Sequence, residues 1–229
     1  MSDDSIRGDR REFLGRLGVA AAATAAAGAG LAPRDATAAI DPRHNSPWDM
    51  SWVDKLTGVP YKVAFDANNI ADGLAPNLAA DFMTQYHEVY NTRDDQTRAV
   101  IVMRQLGVQM AFGDALWDKY AIGEDVKVSD PATKAPAKRN VFWREAAGSN
   151  ATPDPSMLDS LHARGAIFLA CNRAAMNWSR RMAEKNHRSV EEVQAEVRAG
   201  LIPGALLMPS GIFAMIRAQN AGCAYMRGA

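Results

Sequence analysis

The chain has 229 residues, with 26 basic and 26 acidic side chains and a formal net charge of zero. This balance gives no sign of a nucleic-acid partner or of a polybasic membrane-binding surface. Two cysteines are too few for a disulfide framework, and no C-x-x-C or C-x-x-C-H occurs, which excludes zinc ribbons and c-type haem attachment. The four histidines are dispersed without metal-ligand spacing, so the sequence predicts neither a metal site nor a cofactor.

The amino terminus has the pattern of an export signal. A twin-arginine pair at positions 10 and 11 is followed by Phe-Leu, and residues 17–31 are small, apolar and uncharged. Residues 36–39 are small and match an A-x-A signal cleavage site. These features together resemble a twin-arginine (Tat) signal; the alternative is an alanine-rich amphipathic helix. We therefore expect residues 1–39 to be read by the Tat translocase. The mature protein is then periplasmic, with no membrane attachment once the signal is removed.

A short extension, residues 40–58, precedes a single predicted domain, residues 59–229. Ser46 and Pro47 are typical of a helix start, with a capping side chain and proline at the first helical position. Trp48, Trp52 and Leu56 then recur four residues apart and form one face of this helix. We favour packing of this face against the domain over a ligand-stacking surface.

The rest of the chain alternates between strand and helix patterns. The predicted strands are residues 61–66, 98–103, 166–170, 205–208 and 223–226. The predicted helices are residues 74–90, 112–120, 157–164, 172–185, 190–199 and 210–221. Residues 123–155 are rich in proline and are predicted to form a long loop, with at most a short strand at residues 126–128. A loop of this length in a compact domain is usually functional or flexible. The alternation predicts an α/β three-layer sandwich in which right-handed crossovers build a mostly parallel sheet of about five strands.

Three stretches of the domain carry a family resemblance. They are ALWDKYAIGE (residues 115–124), RGAIFLACNRAA (164–175) and LIPGALLMPSGIFAMIRAQNAGCAYM (201–226). In their order along the chain they resemble exported members of the DsrE/DsrF-like family. The resemblance implies a flavodoxin-like sandwich, often oligomeric, in which a cysteine after the third strand passes persulfide sulfur along a relay. By this resemblance the relay cysteine is Cys171. The export signal and the loop at 123–155 depart from the cytoplasmic members of that family.

Cys171 also has a chemical reason to be reactive. It ends the third predicted strand and directly precedes a helix. Ligands of open parallel sheets bind beyond the carboxyl ends of the strands, and the N–H groups at a helix amino terminus favour the nucleophilic thiolate. Asn172 and Arg173, in the first turn, are predicted to help bind an anion or a persulfide. The alternative is that Cys171 packs in the core as a small hydrophobic residue.

Cys223 is predicted to be structural and not to pair with Cys171. The helix at residues 210–221 runs back across the sheet for about 17 Å, at about 1.5 Å per residue. Cys223 therefore starts its strand at the edge opposite Cys171, whereas a disulfide requires Cα atoms within about 7 Å.

Other polar residues follow strands at the same edge as Cys171. They are Asp66 at the end of the first strand, Asn68 and Asn69 after it, Arg104 and Gln105 after the second strand and Ser210 after the fourth. We predict that they line a small binding site. The alternative, which we favour for Ser210 and the two asparagines, is that they are ordinary cap and turn residues.

Three classes of function are compatible with these patterns. The first is a periplasmic sulfur-handling or redox thiol protein that uses Cys171, works with an unknown sulfur donor or acceptor and forms a homo-oligomer. The second is a binding or scaffolding module on the same fold, and the third is an enzyme that uses the crevice without the thiol. Ser210 lacks the G-x-S-x-G context of a hydrolase nucleophile. We favour the first class.

Overall fold

The computed structural model describes residues 46–144 and 154–229, and in these ranges it contains a five-stranded sheet in the order β4-β3-β2-β1-β5. All neighbouring strands are parallel. The strands are β1 (Tyr61–Ala67), β2 (Thr97–Met103), β3 (Ile167–Cys171), β4 (Ala205–Met208) and β5 (Ala224–Arg227). The predicted parallel α/β sandwich is confirmed.

Seven α-helices connect or flank these strands in the described ranges. They are α1 (Leu74–Tyr90), α2 (Asp114–Lys119), α3 (Ile122–Asp125), α4 (Leu158–Ala163), α5 (Asn172–Lys185), α6 (Val190–Ala199) and α7 (Gly211–Asn220). Short 3₁₀ helices cover Ser51–Leu56, Ala71–Gly73, Asp94–Gln96 and Gln105–Ala111. No helix in the described part of the chain is both long and apolar enough to span a membrane.

The strand order decides which face of the sheet each helix covers. Strands β1 to β4 follow one another across the sheet, so right-handed crossovers place the intervening helices on one face. The chain then passes back beyond β1 to reach β5, and α7 lies on the other face.

Two apolar clusters, one on each face, fill the space between the sheet and the helices. Ile101 and Phe168 belong to the larger cluster, together with Trp178 of α5. Val102 and Leu169, the next residues along the same strands, belong to the second cluster with residues of α7. This alternation follows from the period of two along a strand. The central strands are buried on both faces, which explains their continuous apolar sequence.

The amino-terminal helix differs from its prediction. Instead of an α-helix that starts at Ser46 and Pro47, a 3₁₀ helix covers Ser51–Leu56. The side chain of Ser46 accepts the N–H of Trp48, so local turn hydrogen bonds occupy the predicted start. Trp52 and Leu56 are nonetheless buried against the domain, as expected.

The segment after α3 is more ordered than its composition suggests. The predicted strand at residues 126–128 is absent because Lys127 has a positive φ of 59° and the N–H of Val128 closes a turn onto Gly123 O. Asn140 is fully buried and donates to the carbonyl oxygens of Met110 and Phe112, at 2.7 and 2.8 Å. This side chain holds the segment against the domain. The export signal predicted at residues 1–39 and the loop residues 145–153 lie outside the described residues.

Candidate functional site

Cys171 lies where the sequence predicted a reactive thiol. It is the last residue of β3 and the N-cap of α5, and its Sγ accepts the N–H of Ala174 at 3.4 Å. By strand alternation its side chain shares the face of Leu169, toward α7. Only 6% of the residue is exposed. The thiol nevertheless lines a cavity of about 420 Å³ at the carboxyl edge of the sheet.

The topology explains why the cavity forms here. The chain leaves β3 for α5 on one face and leaves β4 for α7 on the other. Adjacent strands whose connections diverge leave a crevice between them, which is the usual ligand site of open α/β sheets. Ser210 begins this second connection and caps α7 by accepting the N–H of Phe213 at 3.1 Å. The cavity is lined by the residues Arg104, Gln105, Leu106, Cys171, Arg173, Ala174, Asn177, Trp178, Arg181, Ser210, Gly211 and Ile212.

Arg104 extends β2 by one residue and lies beside Cys171. In the register of β2 and β3 the last pair of neighbouring residues is Met103 with Ala170, and the backbone continues extended at Arg104. Its Nε and one Nη donate to the two carboxylate oxygens of Asp66, at 2.6 and 2.8 Å. This bidentate pair raises the pKa of Arg104, with a smaller contribution from Cys171. The guanidinium is therefore fixed in place and its charge is largely compensated.

Two further residues hold Arg104 in this position. Tyr225 of β5 donates its hydroxyl to Asp66 at 3.2 Å, and partial burial together with the Asp66 charge raises the pKa of this tyrosine. Gly211, at the start of α7, packs against the aliphatic part of Arg104. A Cβ at Gly211 would lie 2.6 Å from the Cβ of Arg104, so only glycine lets the two segments approach this closely.

The remaining positive charge of the cavity comes from α5. Arg173, Asn177 and Arg181 are four residues apart, so they lie on one helix face, and all three line the cavity. Neither Arg173 nor Arg181 makes a side-chain hydrogen bond or ion pair with any residue in ranges 46–144 and 154–229. Both are exposed. The cavity thus presents uncompensated positive charge close to a thiol at a helix amino terminus.

The structure brings together most of the predicted site residues. The cavity is lined by four of them, Arg104, Cys171, Arg173 and Ser210. Asp66 does not line it but accepts a hydrogen bond from Arg104. Asn68 and Asn172, also predicted to bind, are not part of this lining: the carbonyl of Asn68 accepts the N–H of Gly107 at 3.3 Å, and Asn172 is the first residue of α5. Within the described residues no group of three or more His, Cys, Asp or Glu side chains is placed to hold a metal ion.

Several residues of the site were not predicted from the sequence. Asn177 and Arg181 could have been found, since they repeat Arg173 at helical spacing on a helix that was predicted correctly. Tyr225 had no such signal, because only the strand order brings β5 next to β1 and so places its hydroxyl on Asp66.

The second cysteine lies at the opposite end of the sheet. β5 starts with Ala224 opposite Val63, so Cys223 lies near the beginning of β1, while Cys171 pairs with Met208 at the end of β4. Both thiols are free, and burial raises the pKa of Cys223 to about 11. The predicted separation of the two cysteines is confirmed.

Comparisons with known proteins assign no family. No family model and no curated protein matches the chain. Among solved structures, the chain is similar to a protein of unknown function, MTH1491 from Methanobacterium thermoautotrophicum, with 14% identity and a TM-score of 0.37 over 73% of this chain and 98% of that one. A similarity at this level says nothing about function, which has to be argued from the chemistry of the site.

Proposed function

We propose that this chain is a periplasmic, DsrE-like thiol protein that carries sulfane sulfur on Cys171. The observation that supports this most directly is the position of Sγ. It lies at the amino terminus of α5, in the wall of a cavity that Arg104 and Arg173 also line. A cysteine that served only as core packing would have no need of the uncompensated Arg173 guanidinium in the same cavity.

The proposed reaction is transfer of one sulfur atom from a persulfide donor. The Cys171 thiolate attacks the outer sulfur of R–S–SH, a new S–S bond forms at Sγ, and the donor's own S–S bond breaks. Cys171 becomes a persulfide and the donor leaves as the thiolate R–S⁻, so no external oxidant or reductant is needed. The Ala174 N–H, at 3.4 Å from Sγ, and Arg173 stabilise the negative charge on sulfur during this exchange.

The cellular setting in this proposal comes from the sequence. The twin-arginine pattern at positions 10 and 11 supports export through the Tat translocase to the periplasm. The family resemblance supports a homo-oligomer that exchanges sulfur with a donor or acceptor still to be identified.

The test is the pH dependence of alkylation of each cysteine in the folded protein, read by mass spectrometry. Cys223 is an internal control because burial raises its pKa to about 11. We expect Cys171 to be alkylated faster than Cys223 and at lower pH. A parallel sample treated with a persulfide donor should gain one sulfur atom on Cys171 alone. Labelling of Cys171 only after unfolding would refute the proposal.

A second candidate, a binding or scaffolding module, is favoured by a different observation. Ile212, Phe213 and Ile216 of α7 are exposed, Ile212 to 64%, while Cys171 is only 6% exposed. Exposed apolar side chains close together on one helix are typical of a protein interface. If Cys171 is alkylated no faster than Cys223, this second function replaces the first.

A further inference from the structure

A second cavity, of about 550 Å³, adjoins the thiol cavity. Leu106 and Arg181 line both cavities, so the two cavities adjoin, and we call them the first and second lobes of one cleft. The second lobe is lined by polar groups of both signs, including Asp72 and Lys127. The side chain of Asp72 makes no hydrogen bond or ion pair within ranges 46–144 and 154–229. The sulfur-transfer step described above uses only the first lobe.

The size of the cleft argues for an organic sulfur donor. Inorganic persulfide fills roughly the space of two water molecules, each of which takes about 30 Å³ in the liquid. The lobes, of about 420 and 550 Å³, are each several times larger. Volumes of about 300–1,000 Å³ are instead typical of sites for small organic ligands.

The spacing of the charges limits the length of this donor. Arg173 and Arg181 are eight residues apart on α5, which corresponds to roughly 12 Å along the helix axis at 1.5 Å per residue. An extended peptide covers about 3.5 Å per residue, so a ligand that spans the distance between these two helix positions has about three residues. The two arginines can form charge-assisted hydrogen bonds with carboxylates of this ligand, and Asp72 in the second lobe can form one with its ammonium group.

We infer that the cleft binds a zwitterionic peptide thiol of about three residues, which delivers its persulfide sulfur to Cys171. This inference rests on the sulfur-transfer function proposed above, because it names the donor for the same thiol. The thiol of the ligand lies in the first lobe, next to Sγ. Arg181, at the border of the two lobes, binds a carboxylate and distinguishes a peptide donor from a bare sulfur anion.

Binding is tested first, without any reaction, by titration calorimetry. The probe is S-methylglutathione, a tripeptide thioether that has no sulfur to transfer, and S-methylcysteine is the single-residue comparison. We expect the tripeptide to bind and Arg181→Gln to weaken it about tenfold, the loss typical of one charge-assisted hydrogen bond to a bound carboxylate. Arg217→Gln is the matched control, because Arg217 of α7 lines neither lobe. S-methylcysteine should bind at least tenfold more weakly.

Three results would overturn the inference: no binding of the tripeptide, equal binding by the Arg181→Gln variant, or equal binding of S-methylcysteine. Sulfur transfer from glutathione persulfide and from inorganic persulfide is then measured on Cys171. If the tripeptide binds but no sulfur is transferred, the proposed function fails, and of the inference only the binding of a peptide thiol by the cleft stands. If inorganic persulfide loads Cys171 and the tripeptide does not bind, the proposed function stands and the peptide donor is wrong.

Discussion

Replacement of Asn140 by alanine is the most direct test of how the segment after α3 is held. The side-chain amide donates to Met110 O and Phe112 O, at 2.7 and 2.8 Å, and its oxygen accepts the N–H of Phe142 at 3.1 Å. The residue is fully buried, so water cannot replace these partners. A buried hydrogen bond contributes about 1 kcal/mol net, and unpaired buried groups cost more. We therefore expect Asn140→Ala to lower the free energy of unfolding by about 3 kcal/mol.

The measurement is urea-induced unfolding followed by tryptophan fluorescence. Asn186→Ala is the matched control, because Asn186 is exposed and its amide makes one bond, to Met182 O at 2.8 Å. The control should change the free energy of unfolding by less than about 1 kcal/mol. If Asn140→Ala is no more destabilising than Asn186→Ala, then Asn140 does not hold the segment and the reasoning is wrong.

Two other predictions concern the site and its supporting helices. Gly211→Ala places a Cβ 2.6 Å from the Cβ of Arg104, so we expect a loss of about 1–3 kcal/mol in unfolding free energy, measured in urea, and unchanged stability would contradict the close packing. Glu196 is hydrogen-bonded by Arg188, Tyr120 and Lys119, which lower its pKa from 4.5 to about 2. Since the folded-state pKa lies below the unfolded value, this stabilisation is complete above pH 4.5 and is lost as the pH falls toward 2. Glu196→Gln should therefore be less stable than the native protein at neutral pH, and a stability difference that does not shrink over this acid range would count against the ion-pair network.

The strands were predictable because their sequence and their environment agree. β2 and β3 are buried on both faces, and a fully buried strand requires the continuous apolar run that the sequence shows. The position of Cys171 followed from the same reasoning, because the apolar run ends at this residue and the helical pattern of α5 begins at the next one. In these elements local pattern and tertiary packing demand the same conformation.

Where the predictions failed, side-chain or tertiary contacts override a local pattern. Residues 126–128 alternate in polarity like a strand, but the N–H of Val128 bonds to Gly123 O instead of to a neighbouring strand. Ser46 has the chemistry of a helix cap, yet it caps a turn at Trp48. Single-sequence patterns cannot weigh these competing hydrogen bonds, because their partners are set by the folded backbone.

In the proposed sulfur-transfer function, the arginines of the cleft have two different tasks. Arg104 is held by Asp66 at 2.6 and 2.8 Å, so its position is fixed before any ligand arrives and its charge is already compensated. It can therefore define the surroundings of the thiol but adds little attraction for an anion. Arg173 and Arg181 have uncompensated charge but are exposed, and ordering such a side chain costs up to about 2 kcal/mol. In the proposed function, attraction of the donor and definition of the surroundings of the thiol are thus assigned to different side chains.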